Sequence, residues 1–148
     1  MLLLGPLFLA ACNDDPAAPA RAEDVNWATS LGIDPADFQG GEGQVRIRVD
    51  REGDGQDPAS SGDEVSLRYT GWLADGFQFD SNEGGSRPAL TFTLGEGRVI
   101  RGFEQGAAGI ETGEERTLLI PPALGYGPAG AGDAIPPNAW LVFRIRRI

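Results

Sequence analysis

Apolar and polar residues alternate in several short stretches of this chain. Val45, Ile47 and Val49 interleave with Arg46, Arg48 and Asp50, and Val65, Leu67 and Tyr69 with Glu64, Ser66 and Arg68. This period of two predicts half-buried strands. Asp75-Gly76 marks a turn, so Tyr69–Leu73 and Phe77–Asp80 are expected to bend back or bulge there. Leu90–Leu94 predicts a further short strand, as do Leu118 with Ile120. Trp140–Ile148 predicts the last, with Leu141, Phe143 and Ile145 on one face. Only Arg98–Ala108 changes period: Val99, Ile100, Phe103 and Ala107 share a helical face. Gly102 and Gly106 weaken that helix, so tertiary packing must hold it.

These elements predict an α+β domain, with about five antiparallel strands in a twisted sheet and one short helix covering a face of it. A long Gly/Pro/Ala loop, Tyr126–Pro137, precedes the last strand. Ahead of Val45, the apolar residues Trp27, Leu31, Ile33 and Phe38 recur without a clean period. They predict an extension over 25–44 that packs on its own domain or on a second copy, which leaves monomer or homodimer open.

At 148 residues the chain holds one domain and a tail, and its 22 glycines and 11 prolines suit a fold rich in turns. Histidine and lysine are both absent, so all 12 basic residues are arginine. That excludes histidine bases, Ser/His/Asp triads, Schiff-base lysines and histidine-ligated metals. The net charge is −10, and residues 1–44 carry one arginine against seven carboxylates. Neither half has the basic face that a nucleic-acid partner requires, and the acidity serves solubility. Asp50, Glu52, Asp54 and Gly55 mimic the start of an EF-hand loop, but its twelfth position is Ser61 where a bidentate glutamate is needed. No metal or cofactor is expected.

The apolar run Leu2–Ala11 is too short to span a bilayer. It ends in Leu9-Ala10-Ala11-Cys12, which resembles a bacterial secretory signal followed by a lipobox. Lipidation of Cys12, the single cysteine, would make it the mature N-terminus of an exported lipoprotein held to the membrane by its anchor alone. Met1 is followed directly by Leu2 without a positive n-region, so either translation starts upstream or the cysteine is coincidental. Residues 1–12 are thus expected to be signal and lipobox, and the Pro/Ala/Asp-rich residues 13–24 a tether.

From 45 to 148 five blocks occur in order: Tyr69-Thr70-Gly71, Gly76–Ser81, Gly95–Glu104, Leu124–Gly127 and Ile135–Ala139. In order and spacing they resemble the FKBP family of peptidyl-prolyl cis/trans isomerases. The resemblance implies a five-stranded antiparallel sheet wrapped around one short helix, with the active site between them. It also implies rotation about Xaa-Pro bonds of polypeptide substrates, and possible inhibition by macrolides of the rapamycin type.

Carried over, the catalytic positions are Tyr69, Phe79, Asp80, Ile100 and Tyr126, with Val99, Phe103, Ile135, Phe143 and Leu90 binding substrate. Many relatives carry a tryptophan where Phe103 stands, and some a bulkier residue than Ala131. The alternative is an FKBP-fold module that holds clients without turning them over. Retention of Tyr69, Phe79, Asp80, Ile100 and Tyr126 favours the enzyme.

Overall fold

The computed structural model describes residues 21–148. The expected signal segment, Cys12 and the tether up to residue 20 lie outside the described residues. Six strands form one antiparallel sheet: β1 (Arg46–Arg51), β2 (Glu64–Leu73), β3 (Gln78–Ser81), β4 (Leu90–Thr93), β5 (Glu115–Ile120) and β6 (Leu141–Arg147). Their order is β1-β5-β6-β2-β3. The ten-residue β2 uses one edge twice, pairing Glu64–Leu67 with β4 and Thr70–Trp72 with β3. Six strands therefore occupy five positions, which reconciles the count with the expected five-stranded sheet.

The single α-helix among the described residues, α1, spans Arg101–Ala107 and lies on the inner face. There Phe103 and Ala107 pack with Leu67 and Tyr69 of β2, Leu118 and Ile120 of β5, and Leu141, Phe143 and Ile145 of β6. The alternation read from the sequence is what puts these residues on one face. The helix starts three residues later than its periodicity predicts, because Ile100 is extended and serves as the residue before the first turn. Gly102 and Gly106 have a second role that propensity does not reveal. A Cβ at Gly102 would run into Ile120, and one at Gly106 into Leu118, so both glycines let the helix sit directly on β5.

The outer face is also partly covered, by the N-terminal extension. Ala22, Leu31 and Phe38 bury themselves against Leu119, Val142 and Trp140, with Trp27 and Trp72 packed alongside. Trp27 meets Trp140 edge-on at 5.9 Å, and its indole N–H donates to the Ala22 carbonyl at 2.9 Å. Short 3₁₀ turns carry the chain across, at Ala22–Asp24, Thr29–Leu31 and Pro35–Asp37. Ala22 is fully buried, so the folded unit begins inside the stretch expected to be tether.

One apolar residue departs from its expected role. Val49 is 44 % exposed although it keeps its register opposite Arg116; β1 slips against β5 only after it, between Val49 and Arg51. No helix among the described residues is long and apolar enough to cross a membrane.

Candidate active site

A hollow of about 470 Å³ opens between α1 and the inner face of the sheet, within the usual size range for small-ligand sites. How β3 contributes to it depends on one irregularity. Asp80 pairs with Gly71 and Gln78 with Trp72, which leaves Phe79 as an extra residue in a β-bulge. In a regular strand Phe79 and Asp80 would point to opposite faces. The bulge turns both into the hollow. Gly71, facing them on β2, leaves room for the rings: a Cβ there would lie 2.7 Å from Phe143 and 2.8 Å from Phe79.

The walls are aromatic rings that meet edge to face. Phe103, 3 % exposed, forms the floor, with its ring centroid 5.1 Å from Phe143 and 5.7 Å from Tyr69. Phe79 adds to the far side of Phe143 at 5.5 Å. Leu90 from β4, Val99 and Ile100 from the approach to α1, and Tyr126 from the loop after β5 complete the lining. The Ile100 N–H has no hydrogen-bond partner among the described residues. Tyr126 is 37 % exposed and stands at the mouth.

One polar cluster sits in this apolar wall. The Tyr69 hydroxyl donates to Oδ2 of Asp80 at 2.6 Å, and Arg87 Nη1 donates to Oδ1 at 2.7 Å. Burial pushes the Asp80 carboxyl up, but the hydrogen bonds from Tyr69, Arg87 and the Ser81 N–H outweigh it, so the group is held below its ordinary value. Burial, then the Asp80 hydrogen bond, drive the Tyr69 phenol up to about 12. Burial and the Asp80 charge likewise raise Tyr126.

The loop that delivers Arg87 is fastened to β2. Asn82, 2 % exposed, accepts from the Tyr69 N–H and donates to the Leu67 and Pro88 carbonyls. Arg68 donates to the Asn82 and Arg87 carbonyls.

Nine of the ten residues carried over from the resemblance line this hollow. Ile135 does not. It is 6 % exposed and packs in the main core, where a backbone bridge between Ala131 and Ile135 turns the loop back on itself. Arg98, which the sequence reading did not single out, lines the mouth, and Arg87 holds Asp80. No periodicity marks either arginine, since both lie in irregular segments; only their nearness in sequence to Asp80 and to Val99-Ile100 hints at them. A larger groove of about 560 Å³ on the outer face includes Arg48, Asp50, Arg144 and Arg146. Its polar, charged lining does not offer the aromatic enclosure found in the hollow.

The profile of the family described as FKBP-type peptidyl-prolyl cis-trans isomerase matches residues 55–147. The chain belongs to this family. It is 45 % identical over 103 residues to an FK506-binding protein of Neisseria meningitidis serogroup A, covering 70 % of this chain and 93 % of that one. An FK506-binding protein of Neisseria meningitidis serogroup C is 48 % identical over 87 residues, covering 59 % and 79 %. FK506-binding protein 2 of Dictyostelium discoideum is 48 % identical over 88 residues, covering 60 % and 65 %. As an FKBP-type protein, the chain is a peptidyl-prolyl cis-trans isomerase. The extension over the outer face and strand β1 lie outside the stretch matched by the family profile.

Proposed function

We propose that the hollow between α1 and the sheet receives a prolyl residue and lowers the barrier to rotation about the bond preceding it, and that the substrates are exported proteins. The observation that carries the first part is the enclosure of one apolar cavity by Tyr69, Phe79, Phe103 and Phe143, with a single oriented carboxylate at its side.

The barrier to rotation is amide resonance, about 18–20 kcal/mol. Resonance places negative charge on the carbonyl oxygen, and water stabilises that planar, polar state. An aromatic hollow strips the water away, and twisting the bond reduces the dipole, so the enclosure favours the twisted state over the planar one. A thousandfold acceleration requires only about 4 kcal/mol of such differential binding. The unpaired Ile100 N–H offers a donor to a substrate carbonyl. Tyr126 and the Asp80 cluster orient the chain at the mouth. No bond is broken, so no nucleophile or general base is needed. By likeness to its relatives, the same hollow would take FK506- or rapamycin-type macrolides, which would compete with substrate.

The cellular part of the proposal rests on Leu9-Ala10-Ala11-Cys12. Lipid attached at Cys12 would leave the domain outside the cytoplasm, near a membrane, where newly exported chains fold.

Two measurements test the proposal. The full-length chain should accelerate cis-to-trans exchange of a short Xaa-Pro peptide, and an Asp80→Ala, Tyr126→Phe double variant should do so less. Equal rates in both proteins would remove the assigned polar roles, and no acceleration by folded protein would remove the hollow as a catalytic site. For the anchor, mass spectrometry of the chain produced in a bacterial host should find diacylglycerol on Cys12 and none in Cys12→Ser; an unmodified cysteine would overturn it.

A further inference from the structure

The hollow does not end at its rim. Leu90, Arg98 and Val99 form one wall of it and also line a second cleft of about 390 Å³ that runs on along β4. Beyond that shared wall the cleft is lined by Glu64 and Glu96 and by Thr91 and Thr93 of β4. Strand β4 pairs with the first half of β2 and with no other strand among the described residues. The Thr93 carbonyl accepts from the Glu96 N–H, and the other outward N–H and C=O groups of the edge face whatever lies beside it; an extended polypeptide is the ligand that matches such an edge.

The charge of the cleft narrows the choice of occupant. Glu64 forms no ion pair among the described residues, and Glu96 faces Arg98 only at 3.8 Å, with side chains 53 % and 73 % exposed. A pair that long and that wet holds its partners weakly, which leaves two carboxylates against one guanidinium. A second copy of this chain, at net charge −10, would meet repulsion there.

We propose that this cleft binds the stretch of substrate polypeptide flanking the prolyl bond, extended along β4, with a lysine or arginine set against Glu64 and Glu96. At about 3.3 Å per residue, a four-residue strand places that basic residue about three to five positions from the proline. The inference rests on the reading of the hollow as the prolyl site, with which the cleft shares three residues. The enzyme then selects Xaa-Pro bonds by the charge of the chain beside them.

The test uses the full-length chain, an Xaa-Pro tetrapeptide, and twelve-residue peptides that differ only in carrying lysines or glutamates on one side of the proline or the other. On one side, the lysine peptide should show about two- to fivefold higher kcat/KM than the glutamate peptide at low salt, and this ratio should shrink as salt screens it. In a Glu64→Gln, Glu96→Gln variant the ratio should fall to about one while tetrapeptide turnover is unchanged. Normal tetrapeptide turnover with equal rates for lysine and glutamate peptides on both sides would overturn the cleft. So would a charge preference that survives in the variant. Absence of tetrapeptide turnover would instead remove the prolyl reading beneath it.

Discussion

The Tyr69 hydroxyl and the Asp80 carboxylate face each other across the β2–β3 pair at 2.6 Å, and each spends its hydrogen-bonding capacity on a fixed partner. Oδ2 of Asp80 accepts from Tyr69, while Oδ1 accepts from Arg87 and from the Ser81 N–H. A carboxylate held this way is a stationary charge with a set direction, poorly suited to taking up a proton. That fits a reaction in which only a dihedral angle changes.

The consequence for pH is direct. The Asp80 carboxyl titrates below its ordinary value, Tyr69 at about 12 and Tyr126 above its ordinary value. The chain has no histidine or lysine. The kcat/KM for a neutral peptide should therefore be flat between about pH 6 and pH 9. A bell-shaped profile in that window would show that another titrating group takes part. For stability the signs are opposite. Asp80, depressed in the folded state, contributes stability above its unfolded value of about 3.9, and this is lost as pH falls through the folded value. Tyr69, raised, contributes below about pH 10, and this is lost as pH rises toward 12.

Removing either partner should cost orientation without costing the fold. Tyr69→Phe keeps the ring that packs on Phe103 and Phe143 and deletes only the donor. Asp80→Asn keeps the shape and deletes the charge. Each should lower kcat/KM by about three- to tenfold, equivalent to about 0.7–1.4 kcal/mol. Because the two side chains act on each other, the double variant should fall short of the product of the single effects. Strictly multiplicative losses, measured by peptide exchange kinetics, would show that they act independently.

Gly106 gives an opposite-sign test of how the helix is held. Propensity alone says that Gly106→Ala should stabilise α1 by up to about 1 kcal/mol. The structure sets the new methyl against Leu118, a fully buried side chain of β5. Overpacking of that kind costs about 1–3 kcal/mol, so the net change should be destabilising. Urea denaturation decides it: a midpoint shifted upward would mean that helix and sheet have slack between them.

Much of the fold was legible because its period is simple. Leu67 and Tyr69, or Leu141, Phe143 and Ile145, announce a buried face by alternation alone, and the turn at Asp75-Gly76 follows from residue type. The bulge at Phe79 was less so: two consecutive residues that share one face break the very period by which a strand is recognised. Ile135, carried over as substrate-binding, lies outside the lining of the hollow, in a loop that the Ala131–Ile135 bridge turns back on itself, and its block shows only where it lies in the chain. Arg87 left no hint beyond its nearness in sequence to Asp80. Its role comes from a loop fastened through Asn82 and Arg68, and such long-range hydrogen bonds leave no pattern in sequence.

The extension over the outer face offers the last prediction. Its apolar residues lack a period because 3₁₀ turns, and no regular element, carry them over the sheet. Yet Trp27 stacks edge-on against the buried Trp140 and bonds Ala22, and Val142 beneath them is the direct neighbour of Phe143 in the hollow. If this strap is part of the cooperative unit, Trp27→Ala should destabilise the domain by about 2–4 kcal/mol, while Trp27→Phe, which keeps an aromatic ring and loses the N–H, should cost about 1 kcal/mol. Under strongly native conditions kcat/KM should be unchanged in both, because Trp27 acts on the face opposite the hollow. Urea midpoints equal to that of the parent would show a strap that merely rests on the sheet. A loss of kcat/KM with unchanged midpoints would show that the outer face tunes the hollow through β6.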